Sequence, residues 1–326
     1  MTGPTDLPVI FDAHCHVASA DFIPERFVSD VAANIERRHT AEGIKPRPGR
    51  ALNALQAQHR DDLADELVQE MDRAGIARTV LLVPDFGMVH PMRLSLDEMA
   101  ARHHEIRRRH PGRFWVFIGV DPRRGKEGLR DFERQVTEYG FEGIKLYPPC
   151  GYSPSDEGLF PYYEICAERG LPVFLHTGPT AGSFAYEPAH PLQIDRAART
   201  FPGVNFILGH GGLVHLDVTG YLASYRRNVY LDIGGFAGTA FPDGWEAHLN
   251  RLFRLGLNHK IVFGTDWPLN RMTNGLPRLV EKVVHGPTVF AGVKRREQQL
   301  ILSGNLTRLL PAGAVDAVPA PAVAGS

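Results

Sequence analysis

The chain is poor in cysteine, shows no excess of either charge and lacks any long apolar run. Three cysteines among 326 residues, Cys15, Cys150 and Cys166, are too few and too scattered for a disulfide framework. Lysine and arginine number 36 against 37 aspartates and glutamates, a formal net charge of −1. That balance leaves no electrostatic footprint for nucleic acid or an anionic membrane surface. No uninterrupted hydrophobic stretch reaches membrane-spanning length. The opening MTGPTDLPVIFDAH carries no basic region followed by an apolar one, so no signal peptide and a cytoplasmic location with reduced thiols are expected. No GxGxxG follows the first apolar run, which counts against a dinucleotide-binding sheet. Histidine, by contrast, occurs 15 times, and its placement is the main clue.

Eight short β-rich runs recur: VIFDAHCHV (9–17), TVLLVP (79–84), FWVFIGVDP (114–122), GIKLYPP (143–149), PVFLHTG (172–178), VNFILGHGG (204–212), VYLDIGG (229–235) and KIVFGTDWP (260–268). Most are nearly continuous in Val, Ile, Leu and Phe, as strands covered on both faces of a parallel sheet are. Between them lie helical patterns over Asp61–Ala74, Leu96–Arg109, Gly128–Tyr139, Leu159–Arg169, Leu192–Thr200, 216–227, 244–256 and Lys294–Leu310. Strands alternating with helices give an α/β fold, and eight is the count that closes a (β/α)8 TIM barrel. Residues 18–60 break the rhythm. In a barrel this connection leaves strand one at the catalytic face, so it is either a lid or substrate wall, or an insertion with its own helix. The Pro/Ala-rich stretch 311–326 is expected to be a disordered tail.

Chemistry-bearing residues fall at strand ends. His14 and His16 are two apart on strand one, so they share a face while Cys15 points into the barrel wall. His176 ends strand five, His210 strand six and Asp266 strand eight, where barrel enzymes place catalytic groups. Burying such groups unpartnered costs roughly 2–7 kcal/mol, and a metal ion is their natural partner. Lys145 and Tyr147 share a face of strand four. Trp267 and Pro268 are expected to shape the cavity wall. Arg50 and Arg60 are candidates for a bidentate clamp on a carboxylate, with surface arginine as the alternative. Glu187 and His190 either touch substrate or are exposed. His103, His104, His110, His248, His259 and His285 read as helix or turn histidines.

Strands carrying HxH, His, His and Asp in this order resemble the amidohydrolase superfamily. GIKLYPP, LHTG, LGHGG, GTDWP and SGNLTRLL (303–310) resemble its amidohydrolase-related branch, over residues 9–310. That branch holds metal-dependent hydrolases and non-oxidative decarboxylases similar to aminocarboxymuconate-semialdehyde and resorcylate decarboxylases. The resemblance implies one divalent ion, zinc ahead of manganese, on His14, His16, His176 and Asp266, with His210 as acid/base or oxyanion partner. Some superfamily members bridge two metals with a carboxylated strand-four lysine. Lys145 stands on that strand, and pairing with a substrate carboxylate or a buried ion pair are its other readings. The implied activity is hydrolysis of a C–N or C–O bond in a small-molecule amide or lactone, with Asp266 as proton shuttle. Decarboxylation on the same site is the alternative reaction and an inactive binding homologue the third reading. A homodimer is expected, since relatives often form one.

Overall fold

The computed structural model describes residues 8–45, 47–236, 244–272 and 275–315. Eight parallel strands run in sequential order: β1 (Ile10–Cys15), β2 (Ile76–Val83), β3 (Phe114–Gly119), β4 (Gly143–Leu146), β5 (Val173–Leu175), β6 (Phe206–Leu208), β7 (Val229–Asp232) and β8 (Ile261–Val262). The ring closes just beyond β8. There Ala13 N donates to Phe263 O (2.8 Å), His16 N to Trp267 O (2.9 Å) and Asp266 N to His14 O (2.7 Å). The expected TIM barrel is therefore present.

Each strand contributes to two cores because its side chains alternate. Phe11, Val80, Trp115, Phe117, Phe174, Ile207 and Val262 fill the interior. Leu81, Val83, Val116, Ile118, Leu146, Leu175 and Leu208 face the surrounding helices. Each such side chain gains about 1.5–3 kcal/mol by leaving water. Below the interior, Leu306 and Leu309 of the last helix, Asn305–Leu309, plug the barrel. Asn305 anchors that helix by donating to Asn258 O (2.8 Å) and Ile261 O (2.6 Å), which accounts for the buried amide in SGNLTRLL.

The expected helices all form, and their shifts have local causes. The helix expected from Asp61 starts at Asp65, because the Asp61 carboxylate lies outside it and caps Glu66 N (3.1 Å) and Leu67 N (2.8 Å). Leu96–Arg109 begins on a Ser95/Glu98 capping box. The strand-like runs stop early at β5, β6 and β8 because their last residues turn into the catalytic-face loops. His210 (φ 60°) and Asp266 (φ 57°) both take left-handed backbone, a conformation that costs of order 1–3 kcal/mol outside glycine and clusters at functional sites.

The 18–60 connection folds into two helices, α1 (Glu25–Ala41) and α2 (Arg50–Gln58), packed together through Val28, Ala32, Ala51 and Leu55. A Ser19–Arg60 bridge closes the connection at its base. Of the expected disordered tail, residues 316–326 lie outside the described residues. Residues 311–315 are held in place instead: Ala314 O accepts from Arg78 Nη1 (3.0 Å) and Trp115 Nε1 (2.9 Å) under the barrel. No helix among the described residues is long and apolar enough to cross a membrane.

Candidate active site

Asp12, the first polar residue of β1, shapes everything after it. Its buried carboxylate accepts from His14 N (2.9 Å), Thr265 N (2.9 Å) and Thr265 Oγ1 (2.7 Å), tying β1 to the turn after β8. Opposite Thr79 and Leu81 of β2, the β1 partners are Asp12 and Cys15, so β1 carries one extra residue, the mark of a bulge. The bulge and the Asp12 bonds leave Cys15 in the outer core and turn both His14 and His16 to the cavity.

Three donor atoms converge there. His14 Nε2 is 3.1 Å from Asp266 Oδ1, and His16 Nε2 is 3.7 Å from the same oxygen. Both rings are oriented from behind. His14 Nδ1 donates to Asp232 Oδ2 at 2.7 Å, and His16 Nδ1 donates to Leu82 O at 2.8 Å. Those bonds hold each ring with Nε2 turned toward Asp266, the usual arrangement behind a metal-ligating histidine. Space is tight: a Cβ at Gly234 would stand 2.8 Å from His14 Nδ1, and one at Gly264 would collide with Asp232.

The charges call for a cation at this point. Burial disfavours a proton on His14, but the Asp266 and Asp232 carboxylates on either side outweigh it and raise its pKa to about 9. Burial likewise acts to raise the Asp266 pKa, yet His14 beside it holds the carboxyl well below its ordinary range. His16 is kept neutral, its pKa lowered to about 3 by burial and then by the nearby Lys145 and His14 charges. One carboxylate and two imidazole nitrogens therefore share a single proton in the metal-free protein. This donor set fits a divalent ion such as zinc or manganese.

His176 and His210 form a second unit. His210 Nδ1 faces Gly234 O (3.0 Å), His210 Nε2 faces His176 Nδ1 (3.1 Å) and His176 Nε2 faces Pro179 O (3.0 Å). Three hydrogen bonds across two rings need three N–H hydrogens, one more than two neutral imidazoles carry. With burial lowering both pKa values, the neutral pair donates to the two carbonyls. Its remaining lone pairs then face each other, a place for one shared proton or a cation. His210 Nδ1 is 3.8 Å from Asp266 Oδ2, so this unit adjoins the first.

Above both units is a cavity of about 290 Å³. Its floor is His14, His16, His176, His210, Asp266 and Lys145, and its walls include Leu82, Phe86, Tyr147 and Leu213. Phe22, Phe27, Val31, Leu55 and His59 of the 18–60 connection roof it. Every lysine and arginine of the chain lies within the described residues, and of these Lys145 alone lines the cavity. Lys145 Nζ sits 4.5 Å from the Phe174 ring centroid. Burial lowers its pKa to about 8, with Asp266 and Asp232 opposing the shift.

The amidohydrolase family model matches residues 11–312. The chain belongs to the amidohydrolase family. Among solved structures, this amidohydrolase is similar to an uncharacterised TIM-barrel protein from Bordetella bronchiseptica (TM-score 0.65, 22% identity, 92% of this chain and 97% of that one). It is also similar to 5-carboxyvanillate decarboxylase LigW from Sphingomonas paucimobilis (TM-score 0.63, 16% identity, 93% and 99%). A third similar structure is 4-oxalomesaconate hydratase from Rhodopseudomonas palustris (TM-score 0.59, 18% identity, 92% and 95%). Curated relatives match over short stretches. Protein fluG of Emericella nidulans is 27% identical over 95 residues, 29% of this chain, and the chain spans 11% of its length. The 4-hydroxy-tetrahydrodipicolinate synthase 1 of Halalkalibacterium halodurans is 30% identical over 87 residues, 26% of this chain, and the chain spans 29% of its length.

Against this amidohydrolase site the sequence expectations sort cleanly. His14, His16 and Asp266 form one group whose donor atoms lie within 4.8 Å of one another. His176, expected as a fourth ligand, is not in that group, because its ring is turned to His210 and Pro179. Tyr147 lines the cavity, its hydroxyl hydrogen-bonded to Thr180 Oγ1 at 2.6 Å. Arg50 and Arg60 are exposed and do not line the cavity, so no arginine clamps a carboxylate there. Glu187 is exposed, and the His190 ring packs on His215 instead of facing the cavity. Pro268 lines the wall, whereas Trp267 is buried behind it. Asp12 and Asp232 were missed, although Asp232 shows the signal that revealed Asp266, a carboxylate at the end of an apolar strand. His103, read as a helix histidine, is on a helix but also lines the cavity.

The raised His14 pKa gives a pH prediction. Below about 9 an incoming ion must displace one proton from His14, so apparent metal affinity should rise about tenfold per pH unit between roughly 6.5 and 9. Calorimetry in buffers of different ionisation enthalpy should count about one proton released per ion at pH 7; none released contradicts the assignment. In the metal-free protein the sign for stability is opposite. A pKa raised above the unfolded value contributes stability in full below roughly 6.5, and that contribution is lost as pH rises through about 9.

Proposed function

We propose that this amidohydrolase is a metal-dependent hydrolase of a C–N or C–O bond in a small organic amide or lactone. One divalent ion, zinc or manganese, would be held by His14, His16 and Asp266, with His176 as the fourth ligand of the reading. When bound it would supply Lewis acidity, polarising a carbonyl oxygen and lowering the pKa of water toward about 7. The observation that carries the proposal is the division of labour within the Asp266 carboxylate. Oδ1 faces the two histidine nitrogens, which leaves Oδ2, on the His210 side, to take a proton from the attacking water. Asp266 then returns that proton to the leaving nitrogen or oxygen. Protonated His210, or the metal itself, would stabilise the negative charge that develops on the carbonyl oxygen. The apolar walls and the α1–α2 roof exclude bulk water, which strengthens each of these interactions.

Decarboxylation of a small carboxylic acid is the second reading. It is supported by Lys145, a buried cation able to anchor a carboxylate, and by the decarboxylases among the structurally similar proteins. The lack of any arginine in the cavity wall favours hydrolysis. A panel of lactones, amides and aromatic acids, assayed for hydrolysis product and CO₂ in parallel, tests the choice. Turnover of a lactone or amide without CO₂ is expected; CO₂ release from an acid with no hydrolysis of the others overturns the hydrolase reading. A homodimer in the cytoplasm belongs to the same proposal.

A further inference from the structure

His103 is a buried polar group of the cavity wall that the proposed chemistry does not use. It comes from the helix Leu96–Arg109 and is 1% exposed. Its Nδ1 donates to Met99 O at 2.7 Å, and its ring leans on Phe22 of the 18–60 connection at 4.6 Å between centroids. That backbone bond spends the only N–H of the neutral ring, and burial holds the ring neutral by lowering its pKa to about 4. Nε2 is left as a pure acceptor with no hydrogen bond to any described residue. Around it the cavity is aliphatic and aromatic, with Phe22, Val28 and Phe86 among its lining. An acceptor in such surroundings discriminates well, because a ligand without a matching donor leaves it unpaired.

We propose that His103 is a specificity residue: its Nε2 accepts a hydrogen bond from a hydroxyl or N–H on a largely apolar substrate that bears at most one negative charge. The charge limit follows from Lys145 being the sole lysine or arginine of the wall. This inference rests on the cavity of the proposed hydrolase, but binding does not depend on which bond is broken. A binding experiment therefore fails or succeeds independently of the turnover panel.

The probes are 3-phenylpropanoate, its three ring-hydroxylated isomers and their methyl ethers, titrated into the zinc-loaded protein by calorimetry. One hydroxylated isomer should bind about tenfold more tightly than both the parent acid and its own methyl ether. In His103→Phe that isomer and the parent should bind within about twofold of each other. His103→Gln, which keeps an acceptor, should retain part of the preference. Failure of every isomer to exceed the parent in the wild type overturns the proposal. So does no binding of any probe, or survival of the full preference in His103→Phe.

Discussion

Asp266→Asn should lower kcat by about 10²–10⁴-fold while leaving the fold intact. The backbone reason for an intact fold is specific. Residue 266 sits at φ 57°, and asparagine tolerates left-handed backbone about as well as aspartate. The backbone bond from Asp266 N to His14 O (2.7 Å) is untouched. What the substitution removes is charge and basicity. The amide cannot accept the proton of the attacking water, and it offers a poorer ligand oxygen beside His14 Nε2. His14 also loses one of the two carboxylates that raise its pKa, so the cluster's demand for a cation weakens. Steady-state kinetics and metal content measured on the same preparation, with circular dichroism as the fold control, check both effects. Activity within threefold of wild type would remove Asp266 from the chemistry.

Asp232→Asn should weaken metal binding about 10–100-fold, although Asp232 is not among the three converging donors. Its carboxylate accepts from His14 Nδ1 (2.7 Å), His210 N (3.0 Å) and Gly234 N (2.9 Å). All three partners are donors, and an asparagine amide group would point a fourth donor at one of them. With the amide nitrogen at the Oδ2 position, His14 loses the contact that fixes its tautomer and the turn carrying His210 loses its tether; with it at Oδ1, Gly234 N loses its acceptor and His14 keeps only a neutral one. The unmatched buried group should also cost about 1–3 kcal/mol of stability, seen as a lower Tm of the metal-free protein. Competition with a chromophoric chelator measures the affinity. An unchanged metal Kd would mean that Asp232 does not orient His14.

These two residues mark how far the sequence could be read. The eight apolar runs and the helices between them were legible because hydrophobic pattern and turn residues are local signals. His14, His16 and Asp266 were legible because polar groups at strand ends resist a packing explanation. Asp232 carried the same signal as Asp266, but without a recognised motif around it the signal went unused. The Asp12 carboxylate and the β1 bulge could not be read, because hydrogen bonds to Thr265 span the whole chain. The turned ring of His176 and the His103 acceptor depend on side-chain orientation across elements, which spacing along one strand or helix does not encode. Arg50 shows the converse: a charge in the right segment suggested an anchor, yet α2 presents its apolar face to the cavity and leaves the guanidinium in water.

The central claim is that His14, His16 and Asp266 form a divalent-metal site. Elemental analysis of protein purified without chelator tests it most directly, with His14→Asn/His16→Asn prepared in parallel. The account predicts about one zinc or manganese per wild-type chain and loss of that metal in a folded double variant. A wild-type protein that turns over substrate with no bound metal, or a double variant that keeps its full equivalent, would contradict it.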